Sequence, residues 1–261
     1  MKISEVLSFL EKKYPLSYQE DFDNCGIQCG DKEREITGVL VCFEMSEETI
    51  DEAIRLNANL VISHHPLILR KGIFKIEPVG RVGKVICKAL ENKMVLYSMH
   101  TNLDSAVGGV NDTFADKLGL ENVSVLSPIE GESNVGLGRI GELPEAIPAK
   151  VFLLRLKEAL GLQMVRYYGN IDSLVRRVAV LGGGGSSFIG QALAAGADVY
   201  VTGDVKYHDF HSAERQMLIA DIGHFESEHF IKEIIYNELK ENFNTFAVSL
   251  SEVEKLQISI I

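Results

Sequence analysis

Five of the seven histidines in this 261-residue chain lie in short polar stretches that follow apolar runs. His64 and His65 are adjacent, in SHHP, directly after Leu60-Val61-Ile62. His100 and Asp104 are four residues apart in HTNLD, after the run from Met94 to Ser98. His224 and Glu228 are four apart in GHFESE, after Met217 to Asp221. Asp204, Lys206 and His208 fall in TGDVKYHD, after Val199 to Val201. A set of imidazoles and carboxylates of this kind suits a divalent cation, and Zn, Mn, Fe, Co and Ni all accept mixed N and O donors.

Each group has a competing structural role. Successive residues of a strand face opposite sides, so His64 and His65 can meet one site only where the chain bends. Pro66 holds His65 to extended conformations and marks the end of regular strand. Metal binding is the expectation for this doublet. Asp104 can ligate, or it can cap a turn or helix. If a helix begins near His224, then Glu228 projects from the same face and the pair can chelate. The alternative is an acidic first turn facing the helix dipole, which Glu226 fits better. His229 is off that face and is expected to pack or to lie at the surface. Asp204, Lys206 and His208 either line a pocket for an anionic or hydrogen-bonding substrate or form a solvated loop. GGGGSS (Gly182 to Ser187) has the layout of a phosphate cradle. It lacks the Walker lysine and the G-x-G-x-x-G spacing, so a closely packed turn is the alternative.

The elements that would carry these groups are legible from hydropathy. Helices are expected from about Ser4 to Lys13, Ser46 to Arg55, Gly80 to Asn92, Val110 to Leu118, Ala149 to Leu160, Phe188 to Ala195, His208 to Gln216 and Glu226 to Glu241. Strands are expected at Val39–Phe43, Leu60–Ile62, Met94–Ser98, NVSVL, VRYYG, VRRVAVL, Val199–Val201, Met217–Asp221 and TFAVSL. Gly131 to Pro148, rich in Gly, Pro and Glu, is the best candidate for a junction. The first half would span 1–128 and the second 129–261, with the C-terminal helix and strand able to pack back on the first. The halves share a pattern: an Ala-Asn or Ala-Asp strand enters a polar turn, and a Met-started strand runs into a histidine. The expected fold is α/β, with two similar halves built of mixed sheets flanked by helices. Ligands in such sheets gather beyond the carboxyl ends of strands.

Composition narrows the function classes. The formal charge is −11, which lacks the broad basic face of a nucleic-acid binder. No apolar run is long enough to span a bilayer, and MKISEVLSFLEKKYP reads as an amphipathic helix, not a signal peptide. The four cysteines, Cys25, Cys29, Cys42 and Cys87, form no C-x-x-C pair and are expected as reduced thiols of a cytoplasmic protein. Cys25 and Cys29 read as small packed residues, because no second thiolate pair completes a metal site.

Taken together and in order, DNCGIQCG, SHHPLI, HTNLD, GGVND, TGDVKYHD and DIGHFESE resemble the Nif-three-like family, also described as GTP cyclohydrolase I type 2 homologues. The resemblance implies an α/β core of two similar halves, a dinuclear divalent-metal site between them and a ring-like homohexamer. It implies His64, His65, Asp104, His224 and Glu228 as ligands. His65 and Asp104 would hold one cation, His64 and His224 the other, and Glu228 would bridge them. It places His100 alongside, either supporting the ligands from behind or transferring a proton. The stretch between the halves is too short for the domain that some members insert there. The expected activity is metal-dependent hydrolysis of a nucleotide-like or ring amidine substrate. The rival class is a non-catalytic ring that binds metal as a scaffold.

Overall fold

The computed structural model describes residues 1–69, 71–254 and 258. They form two compact units: Met1–Leu103 joined by the returning residues 230–254, and Asp104–His229.

In the first unit the chain runs through α1 (Ile3–Lys13), β1 (Gly26–Cys29), β2 (Gly38–Cys42), α2 (Glu47–Arg55), β3 (Leu60–Ser63), α3 (Gly80–Glu91) and β4 (Val95–Ser98). It leaves within the short helix α4 (Thr101–Ser105). The second unit comprises α5 (Val110–Lys117), β5 (Glu121–Pro128), β6 (Gly136–Pro148), α6 (Ala149–Ala159), β7 (Arg166–Tyr168), β8 (Leu174–Gly184), α7 (Ile189–Ala194), β9 (Val199–Gly203), α8 (Tyr207–Phe210), β10 (Leu218–Asp221) and α9 (His224–Glu228). The returning chain adds α10 (Ile231–Asn242) and β11 (Ala247–Leu250) to the first unit.

The first unit's sheet has the order β1-β4-β3-β2-β11, all parallel except the antiparallel edge strand β1. Its strands β2, β3 and β4 are buried at every position, as expected of parallel strands covered on both faces. Alternate residues Leu40, Cys42, Val61 and Leu96 pack with Ile50 and Ala53 of α2 and Val85, Ile86 and Ala89 of α3. Burial of each such aliphatic side chain contributes roughly 1.5–3 kcal/mol. Ser46 caps α2, accepting from Thr49 N at 3.2 Å while Thr49 Oγ1 accepts from Ser46 N at 2.7 Å. Helix α1 begins at Ile3, one residue before the expected start, because Glu5 Oε2 accepts from Lys2 N and fastens the first turn there.

The second unit's sheet has the order β5-β6-β8-β9-β10-β7. Its central β8, β9 and β10 are parallel, and the edge strand β7 is antiparallel to β10. The series β7-β10-β9-β8 thus repeats the plan of β1-β4-β3-β2. The two halves are topologically similar, as their shared sequence pattern suggests.

Three stretches differ from the sequence expectation. The Gly- and Pro-rich segment from 131 to 148 contains the 13-residue strand β6, paired to β5 on one side and β8 on the other. At Gly141 a Cβ would lie 2.9 Å from Glu121 O, so a glycine there permits close pairing. Pro144 falls in the break in register between Glu142 and Ile147, where no ladder hydrogen bond needs its missing N–H. The helix expected over Glu226 to Glu241 is two helices, α9 and α10, and the chain changes unit between them. The helix expected over His208 to Gln216 stops at Phe210. Glu214 and Arg215 have φ of 46° and 63°, outside any right-handed helix.

Candidate metal centre

In the first unit, three imidazoles gather at the carboxyl ends of β3 and β4. The strand ladder does not stop at Ser63: His64 N donates to Cys42 O and His65 N to Phe43 O, at 3.3 and 3.2 Å. The bend follows at once. Ser63 Oγ donates to His65 O at 2.6 Å, and Ser98 Oγ reaches the same carbonyl at 3.3 Å. His64 and His65 therefore share a site, with ring centroids 4.8 Å apart. His100 joins them from beyond β4, at 5.1 Å from His64 and 5.2 Å from His65. Each of the three offers a ligand nitrogen within 4.8 Å of the others.

Every Nδ1 in this trio faces an oxygen. His64 Nδ1 is 2.9 Å from Met99 O, His65 Nδ1 is 2.7 Å from Glu44 Oε1, and His100 Nδ1 is 2.9 Å from Asp23 Oδ1. A carbonyl or carboxylate oxygen can only accept, so each Nδ1 carries its proton and a neutral ring keeps its lone pair on Nε2. This is the arrangement by which proteins orient metal-binding histidines and raise their basicity.

The two carboxylates are themselves held. Burial would push the Asp23 carboxyl up, but the bonds from His100, Thr101 and Cys25 outweigh it and hold the group well below the usual carboxylate range. Burial likewise opposes ionisation of Glu44, and His65 and Arg81 together lower it instead. Neither Asp23 nor Glu44 stands out in the sequence as a site residue. The only signal for Asp23 is its place in the DNCGIQCG motif, and Glu44 has none beyond its position after a strand. Burial pushes the Cys25 and Cys29 thiols up to about 12 and about 11. The thiol of Cys25 donates to Asp23 at 3.1 Å. All four cysteines are free.

In the second unit, His224 and Glu228 lie on one face of α9, with His224 Nε2 2.8 Å from Glu228 Oε1. His224 Nδ1 is 2.7 Å from Asp204 Oδ2. Asp104 and Glu228 are both buried, and a carboxylate oxygen of each lies within 4.8 Å of the other. Asp104 and Glu228 thus form a close pair of buried carboxylates, while the exposed Asp204 faces the other nitrogen of His224. Like charges this close are costly to bury without further positive charge, and a divalent cation supplies it. The donors also fit such a cation chemically, since imidazole nitrogen and carboxylate oxygen are what zinc-like metals take.

The glycine run serves this cluster as packing. Gly183 N donates to Ser227 Oγ at 2.8 Å, Gly182 N to Asn111 Oδ1 at 3.0 Å and Gly185 N to Thr202 Oγ1 at 3.0 Å. Gly184 pairs with Gly203 in the β8–β9 ladder. Side chains thus hold three of the four amides and the sheet takes in the fourth residue, which favours the packed turn over the phosphate cradle. Gly183 has φ +70°, and a Cβ there would lie 2.8 Å from Glu228 Oε2. Only glycine leaves the carboxylate its place.

The remaining singled-out groups have different surroundings. Asp221 is buried and pins the loop after β9, accepting from Val205 N at 3.1 Å and from Arg166. Asp204 touches His224, as above. Lys206 and His208 are exposed at the start of α8, with the His208 ring 5.3 Å from that of Tyr207.

A family model described as Duf34/NIF3 (NGG1p interacting factor 3) matches residues 1–257. The chain belongs to the DUF34/NIF3 family. A relative from Clostridium perfringens (strain 13 / Type A), named GTP cyclohydrolase 1 type 2 homolog, is 35% identical over 247 residues, 94% of each chain. Among solved structures, a Bacillus cereus protein related to NIF3 superposes with a TM-score of 0.91 at 26% identity, covering 100% of this chain and 99% of the other. Staphylococcus aureus protein SA1388 does so at 0.91 and 29% identity, with the same coverage. This DUF34/NIF3 chain therefore shares its whole architecture with them: two sheets, each flanked by helices.

Proposed function

We propose that this chain is a metal-dependent hydrolase that holds two divalent cations. His64, His65, Asp104, His224 and Glu228 serve as ligands, and His100 moves a proton. The observation that carries this reading is the trio of imidazoles whose Nδ1 atoms all face oxygen acceptors and which each bring a ligand nitrogen within 4.8 Å of the others. Two further facts support it. In the second unit two buried carboxylates, Asp104 and Glu228, lie close together, and Glu228 also faces His224. Asp104 is the first residue after the chain leaves the first unit, and His224 to Glu228 are among the last before it returns.

Paired divalent cations supply Lewis acidity that acidifies water and polarises the bond under attack. The chain's own groups do the rest. Glu44 and the Met99 carbonyl orient the His65 and His64 rings. Asp23 holds His100 with Nδ1 protonated, so that Nε2 can accept a proton from water and return it to the leaving group. Asp204, Lys206 and His208 are assigned to substrate contact. The substrate class inferred from the relatives' printed name is a nucleotide-like or ring amidine compound, since opening such a ring is a hydrolysis.

The test is elemental analysis of protein purified without added metal, followed by metal-dependent turnover on nucleotide, phosphoester and cyclic amide panels. His64→Ala and Glu228→Ala should each lose bound metal and turnover together. Loss of all metal with turnover unchanged would defeat the mechanism. Full metal occupancy with no turnover on any panel would favour the non-catalytic scaffold.

A further inference from the structure

The last described residues of the first unit reach back to the histidine doublet. Strand β11 pairs with β2 as far as Leu250 opposite Val41, and Ser251 N still donates to Val41 O at 2.8 Å. Beyond that point β11 no longer pairs with the chain on this side of β2. The Glu254 side chain takes over: Oε1 accepts from Phe43 N at 2.8 Å and from Glu44 N at 2.7 Å. Its Oε2 lies 2.8 Å from Lys232 Nζ. The Glu254 side chain is only 5% exposed, so it is a built contact. Ser251 and Glu252 are anchored in turn, by Glu52 Oε2 at 2.6 Å and Glu52 Oε1 at 3.1 Å.

The segment that Glu254 grips, Phe43-Glu44, holds His65 in three ways. Phe43 O accepts from His65 N. The Phe43 ring stands edge-on to His65 at 4.6 Å between centroids. Glu44 Oε1 accepts a hydrogen bond from His65 Nδ1. Removing the Glu254 carboxylate would leave two adjacent amides without their acceptor, at the point where the chain must place both the carboxylate and the ring that orient His65.

We propose that Glu254 is a positioning residue for His65, acting through Phe43 and Glu44, so that the C-terminal segment sets the tautomer and aim of an imidazole more than 180 residues earlier in the chain. The role of His65 as a ligand rests on the function proposed above; the geometry of the Glu254 relay does not.

The experiment has a metal-free arm and a metal arm. Glu254→Ala and Glu254→Gln are compared with the wild-type chain, and folding is checked by circular dichroism. In metal-free protein, nitrogen-15 spectra of labelled histidines should show His65 Nδ1 protonated in the wild type and a mixed tautomer in E254A. Hydrogen exchange at Phe43 and Glu44 should be faster in E254A. In metal-loaded protein, release to a chelator should be about 10- to 100-fold faster in E254A, the range for partners that orient metal ligands. E254Q retains an acceptor oxygen but turns an amide toward Lys232, so it should lie between the two. If E254A does not fold, E254Q alone decides by the same measurements. Wild-type tautomer, exchange and release in a folded variant would overturn the inference. H64A is the control: if it loses metal while E254A and E254Q behave as wild type, the metal centre stands and the Glu254 role falls. If the wild type binds no metal, the proposed function falls and the metal-free arm still tests the relay.

Discussion

At the residue scale, the arrangement depends on carboxylates placed behind imidazoles. Asp23 is the clearest case, because it accepts from His100, from Thr101 N and Oγ1, and from the Cys25 thiol. Its carboxyl is lowered in the folded state. A lowered group contributes stability that is complete above the unfolded value of about 3.9 and is lost as pH falls through the folded value. The native chain should therefore lose stability below about pH 4. Asp23→Asn should flatten that acid limb, as read from urea midpoints between about pH 2 and 6. An unchanged slope would mean that Asp23 is not ionised against His100. The sequence points to the histidines because adjacent imidazoles at a strand end are uncommon in any core. It does not point to Asp23, Glu44 or Glu254. An acidic residue looks the same in a sequence whether it faces water or a buried imidazole, and these three lie 77, 21 and 211 residues from the groups that they hold.

At the element scale, the site needs strand ends that stop, bend and pack closely. Periodicity finds most of the strands and helices, because the parallel strands are continuous apolar runs and the helices have one buried face. It misses β1, where DNCGIQCG looks like a turn but Gly26–Cys29 pairs antiparallel with β4. It misses β6, where glycine and proline signal a break in isolation but serve close pairing and a register shift in the sheet. It merges α9 with α10, because helical spacing continues across a point where the chain changes unit. The close packing of β8 under α9 can be tested with Gly183→Ala, using Gly161→Ala as the reference. Both glycines have positive φ, 70° and 63°, but a Cβ at Gly161 meets nothing within 4 Å. Each should lose about 1–3 kcal/mol from left-handed strain. G183A should lose more, because its methyl also displaces Glu228, and its bound metal should fall. Equal urea midpoints and equal metal content in the two variants would remove the crowding argument.

At the scale of the whole molecule, the first unit is discontinuous in sequence. Its sheet is completed by β11, and its histidine doublet is reached by Glu254, only after the chain has built the second unit. No helix among the described residues is long and apolar enough to cross a membrane. The family resemblance leads us to propose a homohexamer. Light scattering on the eluted protein should then give a mass of about six times 28.9 kDa, a closed assembly of the kind common among homo-oligomers. A mass that stays at one or two chains across a concentration series would rule out the ring.

The sequence by itself determined the α/β class, the order of most elements and the candidate metal ligands. Those properties rest on local hydropathy and residue chemistry, which linear spacing preserves. The tertiary structure alone decided which nitrogen of each imidazole holds the proton, which carboxylates stand behind the rings, and that a glycine run is packing under Glu228. Those are matters of a few tenths of an ångström between residues far apart in the chain, and only folding brings such groups within hydrogen-bonding range.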